Sequence, residues 1–121
     1  MARILIIDDE PDIRKAMRSL LEKEGHGVVE AANGVLGLRQ FDAGDFDLVI
    51  TDIVMPEKEG IETILHIRRI KPGQKILAIS GGGPSGNLHY LQSAKTLGAD
   101  EVLTKPFDAE ELSQAIRVCI G

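Results

Sequence analysis

Four short apolar runs alternate along the chain with longer stretches in which apolar residues recur every three or four positions. Ile4-Leu5-Ile6-Ile7 leads into Asp8-Asp9, and Leu48-Val49-Ile50-Thr51 into Asp52. Ile76-Leu77-Ala78-Ile79 leads into Ser80, and Val102-Leu103-Thr104 into Lys105. Continuous apolar runs this short, separated by helical patterns, read as strands buried on both faces of a parallel sheet. They predict strands over 3–7, 48–52, 75–80 and about 101–104, and Val28-Val29 begins a short outer strand.

The intervening stretches predict helices. Pro11 to about Glu24 carries Pro in the first turn, where a missing N–H costs nothing, and an apolar stripe of Ile13, Met17, Leu20 and Leu21. Arg14, Lys15, Arg18 and Glu22 take its other face, and Glu24-Gly25-His26-Gly27 stops it. Asn33 to about Asp42 follows, with Leu38 and Phe41 inward, then Gly60 to Ile70, with Ile61, Ile64 and Leu65 inward. Gly81 to Gly86 reads as a loop, and Asn87 caps a fourth helix that runs to Leu97 and ends at Gly98. The last helix opens on a capping box, Asp108 with Glu111, and turns Leu112, Ala115, Ile116 and Cys119 inward. This alternation predicts a doubly wound α/β fold, a five-stranded parallel sheet with five helices in three layers.

With 121 residues the chain reads as one domain, 1–121. Aromatic residues make up 3% and there is no Trp, so the core must be aliphatic. A net charge of −5 argues against a nucleic-acid surface, which needs a basic stripe. No apolar stretch approaches a membrane span, the N-terminus lacks a signal-peptide layout, and the lone Cys119 permits no internal disulfide. The expected location is cytoplasmic, with Cys119 a packing residue.

In an open parallel sheet, chemistry gathers at the carboxyl ends of the strands. Here that edge receives Asp8, Asp9, Asp52, Ser80 and Lys105. One Asp at a strand end is by itself a cap or turn residue; the joint placement with a hydroxyl and an ammonium makes a site. Carboxylates on strands about 4.7–4.9 Å apart repel one another, and a divalent cation removes that cost. Oxygen-only ligands favour Mg²⁺, Lys105 adds a point charge, and a carboxylate so held can attack phosphorus to give an aspartyl phosphate. Gly81-Gly82-Gly83 lacks the Gly-Lys-Ser/Thr ending of a nucleotide loop, and His26, His66 and His89 read singly as surface or turn residues.

Taken together, Ile6-Ile7-Asp8-Asp9-Glu10, Asp52-Ile53-Val54-Met55-Pro56 with Gly60, Ser80-Gly81 and Lys105-Pro106-Phe107 resemble the receiver domain of two-component response regulators, end to end. The resemblance implies a flavodoxin-like fold with strand order 2-1-3-4-5. It makes Asp52 the phosphoacceptor, Asp9 a direct Mg²⁺ ligand, Asp8 a ligand through water, and the backbone carbonyl of Val54 the third protein ligand. Ser80 matches the hydroxyl that turns toward the phosphoryl group and Lys105 the lysine that contacts it. The Lys105–Pro106 bond is expected to be cis, with Phe107 packing behind the site.

The implied donor is a histidine kinase or histidine phosphotransfer protein. The implied output partner docks on the face formed by the fourth helix, fifth strand and fifth helix, with Tyr90 and Val102 in that patch; no direct nucleic-acid or membrane contact is expected. The chain is either a stand-alone receiver, which Met1 favours, or one excised from a larger regulator or hybrid kinase. Its only catalysis would be its own phosphorylation and dephosphorylation.

One position departs from the family pattern, and two others bear on the lifetime of the phosphoryl group. Val102 stands where an aromatic usually swings inward, so the output change should rest on the 81–87 loop and the fourth helix. Val54 and Gly82 offer no polar side chain to orient an attacking water, which predicts slow self-dephosphorylation. Two rivals remain: a binding-only pseudo-receiver, which would normally lack one of the matched residues, and an aspartyl-phosphate phosphatase, whose Asp-x-Asp motif is replaced here by Asp8-Asp9-Glu10.

Overall fold

The computed structural model describes residues 1–53, 59–80 and 98–121. In these the order is β1 (Arg3–Ile7), α1 (Pro11–Lys23), β2 (Gly27–Ala31), α2 (Gly34–Ala43), β3 (Leu48–Asp52), α3 (Glu59–Ile70), β4 (Lys75–Ser80), β5 (Glu101–Thr104) and α4 (Ala109–Ile120). The helix expected over 87–97 lies outside the described residues, as do Val54, Gly82, His89 and Tyr90.

The strands pair in parallel in the order β2-β1-β3-β4-β5. Registers such as Ile7 opposite Thr51, Asp52 opposite Ile79 and Ser80 opposite Thr104 bring the polar ends of the apolar runs to one edge. Strand side chains alternate between faces, and the core divides accordingly. Leu5, Ile7, Val49, Ile76 and Ala78 pack with Phe41, Ile64 and Ile67 from α2 and α3. Ile4, Ile6, Ile50, Leu77 and Ile79 pack with Met17, Leu21, Leu112, Ile116 and Cys119 from α1 and α4. Each buried Ile or Leu is worth about 1.5–3 kcal/mol over exposure. This aliphatic sandwich holds the polar edge in place.

Local signals act as anticipated. Pro11 occupies the first turn of α1. Asn33 sits just outside α2 and accepts from the Leu36 N–H at 2.8 Å. Asp108 and Glu111 form the reciprocal capping box of α4. The Lys105–Pro106 bond is cis.

Leu65 is a correction. It is 42% exposed rather than inward, because the buried stripe of α3 runs through Ile64 and Ile67 and leaves Leu65 in a groove shared with Val35 and Leu38 of α2. Among the described residues, no helix is long and apolar enough to cross a membrane.

Candidate functional site

Asp8 directly follows β1, β3 ends in Asp52 and β4 in Ser80, and all three residues are buried. Lys105 follows β5, and its backbone N–H donates to the Ser80 carbonyl at 2.8 Å, which locks the lysine to the end of the neighbouring strand. From there its ammonium reaches Asp8 Oδ2 at 3.1 Å, Glu10 Oε1 at 2.9 Å and Asp52 Oδ2 at 2.9 Å. Burial alone would lower the Lys105 pKa. Bonding to Glu10, Asp52 and Asp8 outweighs it and raises the pKa above the ordinary 10.5, so the side chain stays charged.

The anions outnumber this cation. Asp8, Asp9, Glu10 and Asp52 each offer a carboxylate oxygen, and the four oxygens lie within 4.8 Å of one another. Asp8 and Asp52 are buried, whereas Asp9 and Glu10 face solvent. Four carboxylates and one ammonium leave a surplus of negative charge in a partly dry site, and every ligand is a hard oxygen. That donor set fits Mg²⁺ and gives nothing to a soft metal.

The surrounding backbone is tightly set. Asp8 Oδ1 accepts the Glu10 N–H at 2.8 Å, and the Asp8 carbonyl accepts from Arg14 Nη1 at 2.7 Å. Arg14 Nε in turn donates to Glu30 at 2.9 Å, and Arg18 Nη1 donates to the same carboxylate at 2.8 Å. The Arg18 bond, opposed by burial and aided by the weaker effect of Arg14, holds the Glu30 carboxyl below its ordinary pKa. Gly60, at the start of α3, packs so closely on the Asp52 carbonyl and Ile53 Cα that a Cβ there would overlap both. Only glycine lets the helix begin against the strand that presents Asp52.

The structure thus brings together Asp8, Asp9, Asp52 and Lys105, with Ser80 one register position beyond the residue opposite Asp52. The Val54 carbonyl lies outside the described residues. Two contributors had no assigned role in the sequence reading. Glu10, seen only as part of the motif, is a direct partner of Lys105. Arg14, on the face of α1 away from its apolar stripe, donates to the Asp8 carbonyl; the only sequence signal was a basic residue in the first turn of the helix that follows a strand-end carbonyl. Val102 packs partly against the core. His26 Nδ1 accepts the Ala2 N–H at 3.1 Å, and His66 is half-buried, with no hydrogen-bond partner for Nε2 among the described residues. Cys119 is buried, and burial followed by the charges of Asp100 and Glu101 pushes its thiol up to about 11, as an inert packing residue requires.

A five-stranded parallel sheet of order 2-1-3-4-5 with an acidic cluster and a lysine at its carboxyl edge defines a flavodoxin-like α/β domain with a candidate cation site. The family model of the response regulator receiver domain matches residues 4–117, and the chain belongs to that family. It is 34% identical over 115 residues to the transcriptional regulatory protein GlrR of Escherichia coli (strain K12), an alignment covering 95% of this chain and 25% of GlrR. The chain therefore spans about a quarter of that relative's length. A receiver domain protein from Clostridium thermocellum superposes with a TM-score of 0.89 at 37% identity, covering 99% of this chain and 94% of that one. The response regulator TrrA of Thermotoga maritima, solved in complex with Mg(2+)-BeF, gives 0.84 at 38% identity, covering 97% of both chains.

Proposed function

We propose that Asp52 is the phosphoacceptor of this receiver and that Asp8, Asp9, Asp52, Ser80 and Lys105 are its working residues. The observation that carries this reading is the Lys105 ammonium on the buried Asp52 carboxylate, inside a four-carboxylate cluster. Lys105 fixes the position of the Asp52 carboxylate, and a carboxylate oxygen of Asp52 acts as nucleophile. That oxygen forms a bond to phosphorus while the phosphorus–nitrogen bond of a phosphohistidine breaks, and the imidazole leaves with the electron pair and takes a proton from solvent.

Asp8, Asp9 and Asp52 would hold Mg²⁺, with the Val54 carbonyl as a further ligand. The ion supplies charge stabilisation for the phosphoryl oxygens. Lys105 neutralises a phosphoryl oxygen directly, and Ser80 donates its hydroxyl to another. The domain acts only on itself, its donor being a histidine kinase or phosphotransfer protein. Its output partner docks on the face of the helix expected at 87–97, β5 and α4. The mass spectrum of the intact chain after incubation with acetyl phosphate and Mg²⁺ tests the reading. A single phosphoryl adduct is expected in the wild type and none in Asp52→Asn or without Mg²⁺; an adduct that survives Asp52→Asn moves the acceptor elsewhere.

A further inference from the structure

We propose that Glu10 is the exchangeable partner of Lys105: it holds the ammonium while Asp52 is unmodified, and yields that bond to a phosphoryl oxygen once Asp52 carries one. The inference rests on Asp52 as acceptor and adds a residue that regulates the same site.

An ammonium has three N–H donors. Here Asp8, Glu10 and Asp52 take one each, at 3.1, 2.9 and 2.9 Å. Phosphorylation turns the Asp52 carboxylate into an acyl phosphate, so the N–H it held passes to one phosphoryl oxygen. Lys105 can reach a second phosphoryl oxygen only by releasing Asp8 or Glu10, and exposure decides which. The side chains of Asp8 and Asp52 are 1% and 2% exposed, and that of Glu10 is 56% exposed. A carboxylate stranded in a buried site loses its partner without regaining water, whereas an exposed one is rehydrated at once.

The backbone supports the same choice. Asp8 is fastened by its second oxygen to the Glu10 N–H and by its carbonyl to Arg14, so it stays in place. Glu10 occupies the residue just before α1, yet its side chain makes no capping bond to that helix. Among the described residues its side chain bonds Lys105, 95 positions away in sequence. Glu10 therefore competes with the phosphoryl group for Lys105, and the strength of that competition sets how firmly the modified state is held.

The test is the affinity for beryllofluoride, a phosphoryl mimic, at saturating Mg²⁺, followed by backbone amide shifts in the whole chain. Glu10→Gln should tighten binding by roughly three- to fivefold, the scale of a solvent-exposed ion pair. Asp12→Asn, which removes the same charge from the exposed first turn of α1, should leave the affinity unchanged. In the loaded wild type, the Lys105–Glu10 contact should be broken and the Lys105–Asp8 contact kept. Unchanged or weaker binding by Glu10→Gln, an equal gain in Asp12→Asn, or a Glu10 contact that persists in the loaded form each overturns the proposal. A wild type that binds no beryllofluoride overturns the acceptor reading and this one together. Binding that is lost in Asp52→Asn but indifferent to Glu10→Gln overturns this one alone.

Discussion

A cation saturated by oxygen acceptors stands at each end of β5, and the two are built differently. At the amino end, Arg68 of α3 donates through Nε to the Gly98 carbonyl at 2.9 Å, through Nη1 to Pro72 at 3.0 Å and to Gln74, and through Nη2 to Asp100 at 2.8 Å. Its acceptors are mostly neutral carbonyls, with one carboxylate that also receives the Ile76 N–H at 2.8 Å. At the carboxyl end, the acceptors of Lys105 are three carboxylates with a fourth close by. The first arrangement balances its charge and only ties the α3–β4 turn to the approach to β5. The second is left with surplus negative charge, which suits it to the cation and the phosphoryl transfer proposed above. The same saturation is thus a fastener where charges balance and a switchable site where they do not.

The hardest blow to this contrast would be delivered at Lys105. Lys105→Met strands Asp8 and Asp52 in a buried site and should cost about 3–5 kcal/mol in Mg²⁺-free urea unfolding. Added Mg²⁺ should recover part of the loss, since it binds the folded cluster alone. Wild-type stability in Lys105→Met would mean that the carboxylates do not depend on the ammonium.

Arg68→Ala sharpens the other side. It leaves three backbone carbonyls and Asp100 without this donor and should cost about 2–3 kcal/mol. That loss should be the same with and without Mg²⁺; a Mg²⁺-dependent loss would erase the distinction between the two ends.

The smallest effect is expected at Glu30, which links Arg14 and Arg18 behind Asp8. Its folded pKa lies below its ordinary 4.5, so its stabilisation is full above that value and is lost as pH falls through the folded pKa. Glu30→Gln should lower stability by about 1 kcal/mol or less near neutral pH, Arg18 being largely exposed, and should flatten the acid limb of the stability curve. An acid limb as steep as that of the wild type would remove Glu30 from the account.

The expected strand spans 3–7, 48–52, 75–80 and 101–104 coincide with those observed, and the last helix with its capping box was equally plain. Signals of this kind are local: an apolar run reports burial on both faces, and a capping box reports a helix start within four residues. Leu65 was misread because the width of a buried stripe depends on what packs against it, and α2 leaves that flank of α3 open. The Arg14 bond was not foreseen because nothing in its own helix reveals a carbonyl at the end of the preceding strand.

What the sequence by itself determined is therefore the alternation of strands and helices and the polar residues at the strand ends, since both follow from periodicity and from where an apolar run stops. Only the tertiary structure decided how those polar ends are paired. Lys105 meets Asp8, Glu10 and Asp52 across separations of up to 97 residues. Which carboxylate is sealed from water and which stays wet is set by neighbours on other strands, and that difference in solvation distinguishes a fixed partner from an exchangeable one.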